Sequence, residues 1–280
     1  MLKSRNKGGG RQHSPRTFDN SQIDERLYLG TIEKGMVVLD AFYANPRPMT
    51  LTEVTAASGL SKSAAQRVLY TLRALRYLTQ SEITRQYALS SRAMDIGNAY
   101  LRSNPLVEAT FPFLLEASRQ SQETVGLTEL DSTDVVFISR VPSRRIVSSY
   151  VGVGTRLPAL ATASGRVILA YLNPKMADQI VETSDLSALV GPGVTDPSAL
   201  LAELGKIRAK GFAVVSQKAN LGDISTAAPV LGYDHEVVAA VTIVASPARW
   251  TVQKVEAELS PIAIETARQL SKVALHYRRP

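Results

Sequence analysis

The chain has 280 residues, 45% of them hydrophobic and 6% aromatic, and carries 32 Lys and Arg against 25 Asp and Glu, a formal net charge of +7. That is apolar material for one or two packed cores, while no run approaches the ~20 apolar residues that cross a bilayer and the N-terminus lacks the apolar stretch of a secretory signal. With no cysteine there are neither disulfides nor thiolate metal sites, and His13, His235 and His276 are too scattered to suggest a cluster of ligands, so a soluble, cytoplasmic chain without a metal is expected.

The charge is unevenly placed. Residues 1–104 hold 15 Lys and Arg against 8 Asp and Glu, whereas residues 105–280 hold 17 of each. A basic front joined to an electroneutral remainder suits a nucleic-acid module attached to something that need not touch phosphate. Four of the front cations, Lys3, Arg5, Lys7 and Arg11, lie around Gly8, Gly9 and Gly10 in a polar stretch without apolar periodicity. Residues 1–26 therefore read as a disordered basic tail, either simply solvated or adding salt-sensitive affinity for DNA.

In the module that follows, residues 27–89, the first helix runs from about Leu29 to Ala44, with Ile32, Val37, Val38, Leu39 and Phe42 at helical spacing, and stops at Asn45-Pro46. Leu51, Val54, Ala57 and Leu60 give a second helix, capped by Thr50 or Thr52 and closed by Gly59. Ser61 is a good N-cap for a third, whose buried stripe is expected to be Val68, Leu69, Leu72 and Leu75. Its first turn stays polar. Ser61, Lys62, Ser63, Ala64, Gln66 and Arg67 occupy the N-terminal half, which a helix-turn-helix inserts into the DNA major groove. LTQSEITRQYALS then suits a small hairpin, the wing of a winged helix, with Arg85 near its tip to meet backbone or minor groove. A single small module buries roughly 600–1,000 Å² on DNA, modest for specific binding, so at least a homodimer is expected there.

Residues 90–104 form a linker helix of mixed face, ended by Asn104-Pro105. Over 105–280 helices alternate with β-branched runs: a helix at about Val107–Gln120, strands ETVGLTEL, DVVFISRV and RIVSSYVG, and a helix starting near Ala163. Helices at about Lys175–Thr183 and Ser198–Lys210 follow, then strands FAVVSQ, STAAPVL and VVAAVTIVA, and one long helix from Val252 to about His276. This is an α+β domain with a largely antiparallel sheet.

At Ala163-Ser164-Gly165 the exposed amides and positive dipole end of a helix favour an anion, and small side chains let it approach. Thr162 and Ser164 either add hydroxyl donors or merely cap the helix. No enzyme and no cofactor are expected. Gly152-Val153-Gly154 is too short for a dinucleotide fingerprint, Ser164 lacks the G-x-S-x-G setting, and no histidine has a recognisable partner.

The segments GTIEKGMVVLDAF, LTEVTAASGLSKSAAQRVLYTLRALRYL, LSSRAMDIGNAYL, VFISRV, TRLPALATASGRVILAYL, GFAVVSQKANLG and APVLGYDHEVVAAVTIVAS, in this order, resemble the IclR family of bacterial transcription regulators. The resemblance spans about Leu29 to Leu275, and the TASGRVILA and GFAVV blocks look most like regulators of protocatechuate or hydroxybenzoate catabolism. It implies a GAF-like effector domain and an operator-DNA regulator paired through the linker helix, as a homodimer or homotetramer, touching RNA polymerase if it activates. It also implies a pocket for a small carboxylic acid, lined by Leu157, Leu160, Ala163 and Ser164 and by Gln217, Ser225 and Thr226. Many relatives carry histidine where Leu160 stands and acidic residues around Val215 to Gln217, so the less charged lining here suits an aromatic acid better than glyoxylate or pyruvate. Arg140, Arg144, Arg145 and Arg156 are either alternative countercharges or surface residues. A DNA-binding oligomer without small-molecule control is the other reading.

Overall fold

The computed structural model describes residues 24–143, 151–186, 196–216 and 223–275. Contacts divide the chain into two compact units, with the boundary between Ala99 and Tyr100.

The first unit packs three helices and a hairpin around Val38, Phe42, Met49, Val54, Leu69 and Leu78. α1 (Gly30–Ala44) ends at Asn45, which Pro46 keeps out of the helical region. α2 (Leu51–Ser58) begins at a reciprocal cap: the Glu53 amide donates to the Thr50 hydroxyl at 3.3 Å, and the Thr50 amide donates to the Glu53 carboxylate at 2.8 Å. The Thr50 amide, and after it the Arg47 guanidinium, hold the Glu53 carboxyl down at about 2. Gly59, at φ +69°, turns the chain out of α2, a conformation that a side chain would strain. Ser61 then accepts from the Ala64 amide at 3.3 Å and opens α3 (Lys62–Ala74).

α3 buries Ala65, Leu69 and Leu72, with Val68 at the margin of the core. Leu75, expected in the stripe, is 52% exposed: it lies past the helix end, where Arg76 at φ +64° swings the chain into the hairpin. Ala57 is also exposed. β1 (Leu78–Gln80) and β2 (Tyr87–Leu89) pair antiparallel, and Met49 bridges to Tyr87, the β2 residue next to the loop. α4 (Ala93–Ser103) straddles the boundary between the units and buries none of its residues.

The second unit runs α5 (Pro105–Ser121), β3 (Thr124–Asp131), β4 (Asp134–Val141), β5 (Arg156–Pro158), a 3₁₀ turn (Ala159–Ala161), α6 (Ala163–Tyr171), α7 (Pro174–Thr183) and α8 (Pro197–Lys210). β6 (Ala213–Ser216), β7 (Ile224–Leu231) and β8 (Val237–Ala245) follow, and a last helical stretch closes the chain. The strands form one antiparallel sheet in the order β5-β4-β3-β8-β7-β6, matching the expected α+β class.

Alternation along the strands gives the sheet two covered faces. Val125, Leu127, Ile138, Val230, Val241 and Ile243 join one core with α5 and the last helix. Leu130, Val135, Val215, Ala227 and Ala240 join another with α6, α7 and α8.

Two expectations change. The strand anticipated at residues 145–152 lies largely outside the described residues, and Val151 and Gly152 are not in a strand. Among the described residues the edge strand next to β4 is β5, three residues ending in proline and too short to show alternation. The long last helix is also interrupted: α9 (Val252–Lys254) passes into a π turn (Val255–Leu259) before α10 (Ser260–Ala274). Pro261 has no amide to give and its ring crowds the preceding turn, so the helix widens there, and the Ser260 amide bonds back to the Val255 carbonyl.

Candidate functional site

The polar first half of α3 stands where the sequence puts it. Ser61, Lys62, Ser63, Gln66 and Arg67 are exposed, and Ala64 is half-buried. The Ser61 oxygen is used as the cap, which leaves Lys62, Ser63, Gln66 and Arg67 as the outward chemistry of this turn. Two further residues share the surface. Tyr70, one turn beyond Gln66 and Arg67 and 68% exposed, extends the same helix face with a hydroxyl and a flat ring. Lys34 of α1 meets Ala64 and Arg67 across a groove of about 210 Å³, which brings a second cation beside Arg67. Neither was named from the sequence: the helical spacing from Ser63 through Gln66 and Arg67 would have found Tyr70, whereas Lys34 needed the packing of α1 on α3.

Arg85 lies in the wing loop, exposed and in the left-handed region at φ +58°. The loop is closed by the Ser81 amide on the Gln86 carbonyl at 2.9 Å and the Arg85 amide on the Ser81 carbonyl at 3.0 Å.

In the second unit, α6 is buried on every side from Ala163 to Ala170. The Gly165 amide donates to the Thr162 hydroxyl at 2.9 Å and the Arg166 amide to the Thr162 carbonyl at 3.1 Å. Thr162 is thus the cap, and the first two amides, those of Ala163 and Ser164, have no acceptor inside the helix. Ser164 is 2% exposed and its hydroxyl lies 3.5 Å from that of Thr162.

Gly165 does not open the site to a ligand. A Cβ there would lie 2.1 Å from the Ala159 carbonyl oxygen, because the 3₁₀ turn packs directly on the helix. That contact fixes the adjoining Leu160, which is buried, while Leu157 on β5 is half-buried.

The strand residues divide. Ser225 shares the α6 face with its neighbour-but-one Ala227, whereas Thr226 points to the opposite face, where its hydroxyl lies 2.8 Å from that of Ser260 on α10. Thr226 is therefore removed from the lining, since adjacent strand residues face opposite ways. Gln217 lies outside the described residues. Thr242 and Thr128, both buried, take the place of Thr226 on the α6 face: Thr242 is paired with Gly126 and Ala227, and Thr128 with Ala240. The same alternation rule applied to VVAAVTIVA and ETVGLTEL would have found them.

Of the four arginines weighed as countercharges, Arg156 is ion-paired with Asp131 at 2.7 Å and Asp134 at 3.2 Å, and Arg144 and Arg145 lie outside the described residues. Arg140 is half-buried opposite Gly126, on the α6 side of the sheet.

Sequence reasoning missed Arg166, which is 1% exposed. Its Nε donates to the Leu160 carbonyl at 2.8 Å, Nη1 donates to Glu203 of α8, and Nη2 is buried without a partner among the described residues. Glu203 meets the charge of this buried guanidinium, so the preference of the α6 start for an anion rests on its free amides and the helix dipole.

The arrangement joins a polar, cationic helix face with a wing, and separately a buried helix, α6, on the sheet face that carries Ser225, Thr128 and Thr242. Among the described residues no group of His, Asp and Glu can hold a metal and no helix is long and apolar enough to cross a membrane.

Comparison with known proteins gives two domain matches: residues 31–82 match the IclR helix-turn-helix domain, and residues 98–272 the bacterial transcriptional regulator IclR C-terminal domain. The chain is 30% identical over 244 residues to the Pca regulon regulatory protein of Pseudomonas putida, covering 87% of this chain and 83% of that one. Among solved structures, a transcriptional regulator from Rhodococcus sp. RHA1 superposes with a TM-score of 0.75 at 32% identity, over 88% of this chain and 98% of the other. The inducer-binding domain of PobR from Acinetobacter, a double mutant in complex with 3-hydroxybenzoic acid, superposes with a TM-score of 0.55 at 28% identity, over 59% of this chain and 97% of the other.

Proposed function

Because this chain belongs to the IclR family of bacterial transcription regulators, we propose that it is controlled by a small aromatic carboxylate bound at the start of α6, whose occupancy changes how a homodimer holds its operator. The observation that carries this reading is the helix start itself. Two amides without intrahelical acceptors and the positive end of the helix dipole favour a negative charge there. Around it Leu157, Leu160 and Ala163 supply apolar wall, and Ser164, Ser225, Thr128 and Thr242 supply hydroxyls. A ring needs such walls and a carboxylate such a helix end. The PobR domain seen with 3-hydroxybenzoic acid shares this fold, which favours the aromatic class over short oxoacids.

Operator contact is assigned to Lys62, Ser63, Gln66 and Arg67 in the major groove and to Arg85 on the wing. Dimerisation is supported by an apolar surface that a lone subunit would leave in water: Leu27, Leu29, Ile32 and Met36 at the start of α1, and Met94 and Ile96 on α4, are each at least half exposed. The regulator works in the cytoplasm, where its DNA is, and contacts RNA polymerase if it activates.

Calorimetry with benzoate, 3- and 4-hydroxybenzoate, protocatechuate, glyoxylate and pyruvate tests the effector class. Binding of one or more aromatic acids with no heat from the oxoacids is expected, and the reverse preference overturns the assignment.

A further inference from the structure

We propose that Arg73 and Gln80 are positioning residues, a strap that holds the wing tip and Arg85 in register with α3; this rests on the reading of α3 and the wing as the DNA-contacting surface. Arg73 Nη1 donates to Gln80 Oε1 at 2.7 Å, and Gln80 Nε2 donates to the Arg85 carbonyl at 3.1 Å. A guanidinium can only donate and a carbonyl only accept, so the amide between them has a single orientation. The strap runs from the last turn of α3, through the last paired residue of β1, to the loop.

The hairpin needs such a strap. Only three residue pairs join β1 to β2, and the mutual Met49 and Tyr87 backbone bonds at 2.8 and 2.7 Å hold β2 no further out than the last of those pairs, at the start of the loop. Two short strands alone are marginal in water. Beyond the Gln80–Tyr87 pair the tip depends on the loop bonds and on this strap. Arg85 also sits at φ +58°, a region that a residue with a Cβ occupies only where its surroundings impose it. Its amide is bound by the Ser81 carbonyl and its carbonyl by Gln80, so the backbone is pinned from both sides while the side chain is exposed. Charge alone would assign Arg73 to DNA phosphate along with Arg67. The geometry gives it to Gln80 instead.

The test uses the full-length chain and a duplex that the unaltered protein selects from a random pool, titrated with Arg85→Ala, Gln80→Ala, Arg73→Ala and the double variants. Arg85→Ala is expected to weaken binding by roughly tenfold, and Gln80→Ala and Arg73→Ala by roughly threefold each. In the Arg85→Ala background both smaller effects vanish, because the strap acts only through Arg85. Arg73→Lys, which keeps a donor for Gln80, recovers most of the loss. Without DNA, amide exchange across residues 81–86 accelerates in Gln80→Ala while α1 to α3 keep their protection.

If the losses instead multiply in the double variants, or exchange in the loop is unchanged, the strap is refuted while Arg85 remains a DNA contact. If Arg85→Ala leaves both affinity and its salt dependence unchanged, the wing contact is wrong and the strap falls with it.

Discussion

Gly165→Ala tests how the 3₁₀ turn and α6 build the effector site. The added methyl would stand 2.1 Å from the Ala159 carbonyl oxygen and 2.4 Å from its Cα, both backbone atoms that cannot rotate away. Ordinary contact begins at 3.4 Å, so the turn must retreat by about 1.3 Å, carrying Leu160 with it. Overpacking of this kind costs 1–3 kcal/mol where side chains can adjust; against fixed backbone the upper end applies, about 3 kcal/mol. For a unit of this size that lowers the unfolding midpoint by roughly 6–12 °C. Trp250 is the only tryptophan in the chain, and its indole donates to the buried Glu123 at 2.7 Å, so its fluorescence reports the second unit alone. The variant should also bind hydroxybenzoate more weakly at temperatures where it stays folded, because Leu160 moves. A Gly165→Ala protein whose Trp250 transition and hydroxybenzoate affinity both match the parent would refute the close packing on which the site depends.

Arg67→Ala should cost about 1–3 kcal/mol of operator affinity and leave acid binding intact in calorimetry, whereas equal loss of both would mean that the variant misfolds. Tyr70→Ala should weaken binding to the same selected duplex, and unchanged affinity would remove Tyr70 from the contact surface. Thr226→Val should leave acid affinity unchanged, since Thr226 faces Ser260, while Ser225→Leu should reduce it; the opposite pattern would reverse the assignment of the two faces. Glu53 has its carboxyl held at about 2, below the ordinary carboxylate range, so its contribution is present above the unfolded-state value and disappears as pH falls through the folded one. The stability gap between the parent and Glu53→Gln, followed by urea unfolding, should therefore be full at neutral pH and close between about pH 4.5 and pH 2. A gap that ignores pH would contradict the capping role.

Much of this was legible in the sequence where a residue's role is local. Thr50 with Glu53, Gly59 and Ser61 announce two helix starts and one end within twelve positions, because caps are set by neighbours three residues away. The alternating strands also announced an antiparallel α+β unit. What failed is what depends on partners distant in sequence. Thr226 is expected in the lining from the family resemblance, yet one step along a strand changes the face, and the threonine on the α6 side is Thr242 of β8. Gly165 read as room for an anion until Ala159 filled that space. Arg166 carried no expectation, because the Leu160 carbonyl and Glu203 that hold it come from other elements. Arg73 likewise carried no expectation, because its partner Gln80 is seven residues away on another element.

The central claim is that one chain couples operator binding by its first unit to acid binding by its second. Linkage measures this directly: operator affinity is titrated with and without a saturating hydroxybenzoate, and hydroxybenzoate affinity with and without operator duplex. The account predicts that each ligand changes the affinity for the other by the same factor, roughly 5- to 150-fold in either direction. Two ligands that bind with full affinity and leave each other unchanged would contradict it.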